Sequence, residues 1–379
     1  VASEDFLSYV TAAKPYLPSQ QDAVKGAKAI TVDQGAHFNV VNSLALCSGK
    51  VTVADGVTFV MAPEMNKAEL NVLAAEKVNQ EGSKSSSTKT TSAQGNDVSF
   101  HGTVESDANR WVDMDFKGAT VNLDRAKFHT PNGELSANAI QSSEDKADGT
   151  WEDTATSANV VQADGLEIVG NRNDTEFWGG KVELKNTTIK TPGEVQVYAY
   201  KTFAKGSIDT KDMTAGADSV VQLTNTKILN EGSDPQSYSN VWVRGGKIEM
   251  NNSELASEDE IRLTASNSLH EVREGRKIPK ELKMEANAEN TVRLSNTQLH
   301  ANQDSWQPSS EARYTPKNSI GIYGGKVSLT NVEIKAPRDI SVSALREMNS
   351  EETADGDKGE IKSDTSNVLD MRGVTIEAG

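Results

Sequence analysis

Residues 180–200 read GKVELKNTTIKTPGEVQVYAY, and the phrase returns at 246–266 as GKIEMNNSELASEDEIRLTAS, at 325–345 as GKVSLTNVEIKAPRDISVSAL and at 118–140 as GATVNLDRAKFHTPNGELSANAI. Each copy is a run of short strands with period-two alternation, broken by a small or polar residue at a fixed offset. A shorter relative lies between the copies: VVQADGLEI from Val160, VVQLTNTKI from Val220, TVRLSNTQL from Thr291 and VLDMRGVTI from Val368. A repeat of this size decides the architecture before any motif is read, because stacked copies of one strand unit make a solenoid.

The spacing gives the size of one coil. The apolar markers two before each break are Leu123, Ala163, Leu184, Leu223, Met250, Leu294, Leu329 and Met371, with successive intervals of 40, 21, 39, 27, 44, 35 and 42. The smallest interval, from Ala163 to Leu184, suits three short strands and three turns, one coil of a three-sided parallel solenoid. Each interval that leaves a long phrase exceeds this one by close to 20. Insertions therefore leave the same edge of the solenoid on alternate coils.

Two positions after each apolar marker stand Arg125, Gly165, Asn186, Asn225, Asn252, Asn296, Asn331 and Gly373. Asn and Gly enter the left-handed backbone region at least cost, which a sharp corner between strands demands. Stacked coil over coil, the Asn side chains can hydrogen-bond along a column. Arg125 departs from the pattern, so its corner is expected to differ.

Composition agrees with a thin core. Aromatic residues make up 5% and hydrophobic residues 36% of the 379 residues, with a mean hydropathy of −0.55. A solenoid needs only Val, Ile, Leu and Ala inside each coil. In the copy at 180–200, Val182, Leu184, Ile189, Val195 and Val197 point in, while Glu183, Lys185, Gln196 and Tyr198 point out. No apolar run is long enough for a membrane-spanning helix, so none is expected. A net charge of −16 disfavours nucleic acid and anionic membranes as partners. The single cysteine, Cys47, lies among apolar residues in NSLALCSGKVTV and is expected to be buried.

Residues 1–28 read differently. EDFLSYVTAAKPYL and the QQDAVKGAK that follows have helical spacing broken at Pro15 and Pro18, which predicts a partly helical cap over the open end of a solenoid spanning 29–379. The last short phrase stops at Gly379 without a cap, so the natural protein is expected to continue. A Ser/Thr/Lys-rich stretch, 81–96, predicts a mobile loop.

With alternating polar strands, a fixed coil, corner Asn columns, an N-terminal cap and one cysteine, the chain from about residue 29 to 379 resembles the passenger regions of bacterial autotransporters and of two-partner-secreted exoproteins. The resemblance is architectural. It implies a right-handed parallel β-helix at a Gram-negative cell surface or secreted from it, commonly an adhesin for host or bacterial glycans or matrix proteins. Self-association between solenoids is also open. An outer-membrane barrel would be expected outside this chain for an autotransporter.

Function on such a scaffold is first sought in the insertions. Those after the long phrases cover 141–158, 201–217, 267–289 and 347–366. The first and last are acidic, and the third contains PKELKMEANA, which reads as a short helix. A second set lies at 231–239 and 302–318. These insertions read either as solvated loops or as a wall shaping a groove along one side.

The third strands of the coils give a sharper expectation. Aligned by their inward residues, TEFWGG, EVQVYAY, NVWVRGG, EIRLTAS, IGIYGG and DISVSAL place two columns outside. One holds Glu176, Gln196, Trp242, Arg262, Gly321 and Ser341; the other holds Trp178, Tyr198, Arg244, Thr264, Tyr323 and Ser343. Coils lie about 4.8 Å apart, so Trp178, Tyr198, Trp242, Arg244, Arg262 and Tyr323 form a continuous patch. Aromatic faces stack on sugar rings, and Arg donates paired hydrogen bonds. The patch is the expected ligand surface, unless the insertions cover it.

Enzymatic readings find less. Phe100-His101-Gly102 is the nearest approach to a Gly-His-Gly, without an adjacent Asp pair, and no Gly-Asp-Ser-Gly occurs. The five histidines, at 37, 101, 129, 270 and 300, lack metal-ligand spacing, and neither a metal nor a cofactor is expected. Asp113 and Asp115, flanking Met114 on one strand face, read as an exposed acidic strand face, or as a pair that could bind Ca²⁺ or act as acid and base. The expectation is a non-catalytic adhesin. A polysaccharide lyase or hydrolase, which predicts a compact cleft with convergent carboxylates, and a passive stalk are the alternatives.

Overall fold

A computed structural model describes residues 9–11, 29–62, 67–81, 87–107, 110–206, 210–230, 239–272, 281–301, 318–353 and 356–379. Every regular element among them is a strand. The chain winds as a right-handed parallel β-helix, as the repeat predicts, with each coil but the last described one running through all three parallel stacks.

Register follows the phrases. On the first stack, Val161, Val182, Val221, Ile248, Val292, Val327 and Leu369 sit in line from coil to coil. On the second, Phe128 is followed by Ile168, Ile189, Ile228, Leu255, Leu299 and Ile334. These are β-branched or large apolar side chains, which pack well on a pleated face. All but the terminal Leu369 are buried. In the first coils the core is aromatic, with Phe38 stacked on Phe59 at 4.8 Å and Phe100 on Phe128 at 5.9 Å. Cys47 is buried, as expected.

All eight predicted corners have positive φ. Asn186, Asn225, Asn252, Asn296 and Asn331 lie at 48–53°, with Gly165 at 78° and Gly373 at 62°. Arg125 adopts the same conformation at 58°, so its corner does not differ in backbone. Its guanidinium instead reaches Asp55 at 2.9 Å. The Asn column is a ladder: Asn225 donates to Asn186 at 3.1 Å, Asn252 to Asn225 at 2.7 Å and Asn331 to Asn296 at 3.2 Å. It has one break, where Asn296 donates to Asn251 rather than Asn252.

The insertions after the long phrases are β-hairpins rather than loops. Ser142–Asp145 pairs with Trp151–Thr154, Thr202–Lys205 with Thr210–Thr214, Ser268–Val272 with Glu281–Glu285, and Glu347–Thr353 with Gly356–Lys362. A further hairpin, Lys77–Glu81 with Ser87–Thr91, precedes them. Neighbouring hairpins pair with one another, giving a ten-stranded antiparallel sheet laid over the third-strand stack. Two paired strands are about 9.6 Å wide, the height of two coils at about 4.8 Å each. One hairpin per two coils is therefore the spacing that fills the sheet without gap or overlap, which explains the alternation of long and short intervals.

Three expectations need correction. The segment read as a helix at 279–288 is extended at Glu281–Glu285. The stretch 81–96 contributes the strand Ser87–Thr91 to the first hairpin. Within 1–28 the described element is a strand, Tyr9–Thr11, antiparallel to Ala45–Cys47; the rest of that segment, like 231–238 and 302–317, lies outside the described residues.

Each hairpin returns to the coil through one recurring turn. Asn96, Asn159, Asn290 and Asn367 each accept from the backbone N–H three residues back, at 2.7–2.9 Å. Each also donates to a carbonyl of a neighbouring coil, Gly49, Ala119, Gly246 and Gly325 respectively. Ser219 takes the accepting role in the third turn. Beneath three of these turns a Cβ on Gly180, Gly246 or Gly325 would sit 1.6–1.7 Å from a turn carbonyl. That close approach is why three of the long phrases begin with Gly-Lys.

Candidate functional site

The outward columns of the third-strand stack have the register predicted for them. Glu176, Gln196, Trp242, Arg262, Gly321 and Ser341 are in line, as are Trp178, Tyr198, Arg244, Thr264, Tyr323 and Ser343. The face is not open, however. Trp178, Tyr198, Trp242 and Arg244 are 9%, 1%, 4% and 1% exposed, and Arg262 and Tyr323 are half-buried. The hairpin sheet covers them.

The physical reason lies in the hairpins. Phe203, Met213, Leu269, Leu282, Met284 and Met348 face inward and form a second core with the aromatic residues of the stack. Trp178 and Tyr198 lie parallel at 6.1 Å, and Phe203 meets them edge-on at 5.1 and 5.7 Å. Arg244 lies 5.0 Å from the rings of both Tyr198 and Trp242, and its charge is neutralised by Glu271 of the overlying hairpin. Arg262 pairs with Glu260 at 2.7 Å. The expected ligand patch is thus the floor of an interior. Its signal was in the insertions, where TFAK, DMT and ELKME carry apolar residues at strand period.

Toward the N-terminal end the two layers separate. Here the hairpin residues are Ser143, Asp145, Trp151 and Asp153, and a cleft of about 430 Å³ opens beneath them. Its floor carries carboxylates in two adjoining columns. Glu69, Asp113 and Glu134 stand in line on successive coils. Beside them run Asn71, Asp115, Ser136 and Glu176. The Asp113/Asp115 pair singled out from the sequence therefore lies in the cleft, whereas Glu134 was not singled out because its neighbours come from other coils.

The roof is tied down by polar contacts. Asn138 is buried and donates to Asp153 at 2.7 Å while accepting from Tyr200 Oη at 3.0 Å. Lys117 reaches Ser143 at 3.5 Å. At the mouth, Lys67 pairs with Asp113 and, at 3.2 Å, with Glu69. Trp151 from the roof and Trp178 from the floor stack at 5.8 Å and form one wall. Trp178 Nε1 is buried with no acceptor among the described residues.

Crowding shows in proton affinity. Burial, reinforced by Asp113 and Asp174, pushes the Glu134 carboxyl up to about 7 despite Lys67. Glu176 is raised well above the ordinary carboxylate range by burial and then by Asp174, with Lys211 opposing. Burial also raises Asp115. For Lys117, burial works against the charge, but Asp115, Asp153 and Asp145 outweigh it and hold the ammonium protonated. Such a site can accept hydrogen bonds, attract cations or exchange a proton near neutral pH.

The histidines are dispersed. His129 pairs with Glu167 at 2.7 Å, His270 with Asp212 at 2.6 Å and His300 with Glu333 at 3.0 Å, while His101 contacts the Asp124 carbonyl. Among the described residues no group of three or more His, Cys, Asp or Glu is arranged to hold a metal ion. No protein-family model, no curated protein and no solved structure matches the chain.

Proposed function

We propose that this protein is a bacterial surface or secreted adhesin that binds glycans in the acidic cleft, not on the buried strand face. The observation carrying this reading is the cleft itself. It has the volume range of ligand sites, a tryptophan wall against which a sugar ring can stack, and a floor of polar groups from four successive coils. Affinity at each site would be modest, and many copies on one surface would amplify it. Matrix proteins and a second solenoid are competing partners within the same reading.

Polysaccharide cleavage is the second reading. It is favoured by Glu134 and Asp113 on adjacent coils: burial gives one a raised proton affinity, while Lys67 pairs with the other. A carboxyl of raised proton affinity beside an ion-paired carboxylate is a starting arrangement for acid–base work on glycosidic bonds.

The deciding experiment is binding of the purified chain to a glycan array and a panel of matrix proteins, beside Trp151→Ala and Glu134→Gln variants with unchanged circular dichroism. Specific glycan binding lost in both variants supports the cleft. Binding that survives both removes it as the site. Turnover of any polymer bound would replace the adhesin with the enzyme, and a blank panel would leave a stalk.

A further inference from the structure

The charge balance of the cleft differs from that of the rest of the same interface. Farther along the stack the buried glutamates are matched: Glu271 by Arg244, Glu260 by Arg262 and the Trp242 indole, Glu194 by the amides of Gln196 and Asn240. In the cleft, Glu69, Asp113, Asp115, Glu134 and Glu176 from the floor and Asp145 and Asp153 from the roof face one another. The ammonium groups that act on them are Lys117 within, Lys67 at the mouth and Lys211 toward Glu176. Like charges on neighbouring strands repel, and Asp115, Glu134 and Glu176 take no hydrogen bond from any described residue.

A second observation is independent of charge. Trp178, 9% exposed, forms the cleft wall with an indole N–H that has no acceptor among the described residues. Buried donors are satisfied in nearly all folded proteins, and no described residue meets this one. The cleft therefore asks for a ligand with cationic groups and a ring face for the tryptophan wall.

We infer that the cleft selects an amine-bearing oligosaccharide, a chain of deacetylated amino sugars, over neutral and acidic glycans. This rests on the glycan reading above and names its ligand class. Ammonium groups would sit against the Glu69–Asp113–Glu134 column and a ring against the tryptophan wall. Carboxylates repeat along the floor every coil, about 4.8 Å, and an extended pyranose chain advances by a similar step. Sialylated and uronic glycans would meet like charge and be excluded.

The probe is a glucosamine hexamer, titrated calorimetrically into the full chain at pH 6, beside its N-acetylated counterpart. The expected result is at least tenfold tighter binding of the free amine, weakening as salt rises. Ligand ammonium groups would draw the proton from Glu134, which faces Asp113, Glu69, Lys67, Asp115, Asp174 and Glu176 along the floor and Asp145 and Asp153 in the roof. Proton release, read as a dependence of apparent enthalpy on buffer, should therefore accompany binding and vanish in Glu134→Gln.

Glu134→Gln with Glu176→Gln should lower affinity at least tenfold. Asp370→Asn with Glu377→Gln, neutralising two carboxylates at the far end, should leave it unchanged. Equal affinity for the N-acetylated hexamer, equal loss in the distant variant, or no binding of either hexamer would each overturn the inference. Binding of a neutral or acidic glycan that depends on Trp151 would overturn the amine preference while preserving the glycan site; a blank array as well would remove both.

Discussion

The two halves of the space between the β-helix and its hairpin sheet share one backbone design and opposite chemistry. From Tyr198 onward the layers meet through Phe203, Met213, Leu269, Met284 and Trp242, and the ion pair that bridges them there, Arg244–Glu271, is dry. From Glu69 to Glu176 the same strands, in the same register, present carboxylates to carboxylates, and the layers stand apart around a cleft. Side chains alone decide whether a face is sealed or open. Apolar area gains about 25 cal/mol per Å² removed from water, whereas unpaired carboxylates lose solvation and repel. The hairpins are held over the polar half by their lateral pairing and by anchors such as Asn138–Asp153.

The contrast can be broken most severely in the sealed half. Glu271→Ala leaves Arg244 charged and buried without its counterion, at a cost of about 3–5 kcal/mol. Replacing both partners, Arg244→Met with Glu271→Leu, should recover most of that loss in urea denaturation. If the single change is as mild as the double, the half is not dry.

Leu269→Ala, in the hairpin core, should cost about 2–4 kcal/mol. The truncation at the same register in the roof of the open half, Ser143→Ala, removes a buried hydroxyl that accepts from Lys117 and should cost only about 1 kcal/mol. Equal costs would mean that both halves are packed alike.

Corners should not distinguish the halves, because their φ angles agree. Forcing an alanine into the left-handed region costs roughly 1–2 kcal/mol, and this is the loss expected for Asn252→Ala. The change also breaks the ladder bond to Asn225. Arg125→Gly should be neutral or slightly stabilising, because the same backbone strain is removed while only an exposed ion pair is lost. Chevron or urea data on the pair test whether corner conformation or side-chain bonding dominates.

The smallest effect is a gain. The Glu134 carboxyl is raised from an ordinary 4.5 to about 7. The native state therefore holds a proton that the unfolded chain releases, and this contribution to stability falls as pH rises from about 4.5 to 7. Above that window the full crowding penalty is present. Glu134→Gln should raise Tm by on the order of 2 °C at pH 8 and by less at pH 5. A larger gain at the lower pH would contradict the assigned cause.

Much of this was legible because the repeat encodes register directly. The interval between Ala163 and Leu184 gives the coil, and Asn186, Asn225 and Asn252 give the corner, without knowledge of anything distant. The outward columns could be aligned for the same reason. The covering sheet was not legible as such. Its strands are short, and each hairpin pairs with another that lies a whole coil or more along the chain, as Asp212 does with His270. Phe203 therefore read as a loop residue and Met284 as part of a short helix. The cleft was half legible, since Asp113 and Asp115 share one strand, whereas Glu134 joins them only through coil stacking.

The fit of one hairpin to the height of two coils makes the molecule commensurate, like two combs whose teeth mesh only at a whole-number ratio. Its unit of growth is then the pair of coils with its hairpin, such as residues 220–290, bounded at each end by the recurring return turn. Excising that whole unit would leave both layers in step, with Thr291 able to stack where Val220 had been. Excising a single coil would bring two hairpins to bear on one gap. Variation in length should therefore come in steps of two coils, and the outer sheet acts as the gauge that enforces it.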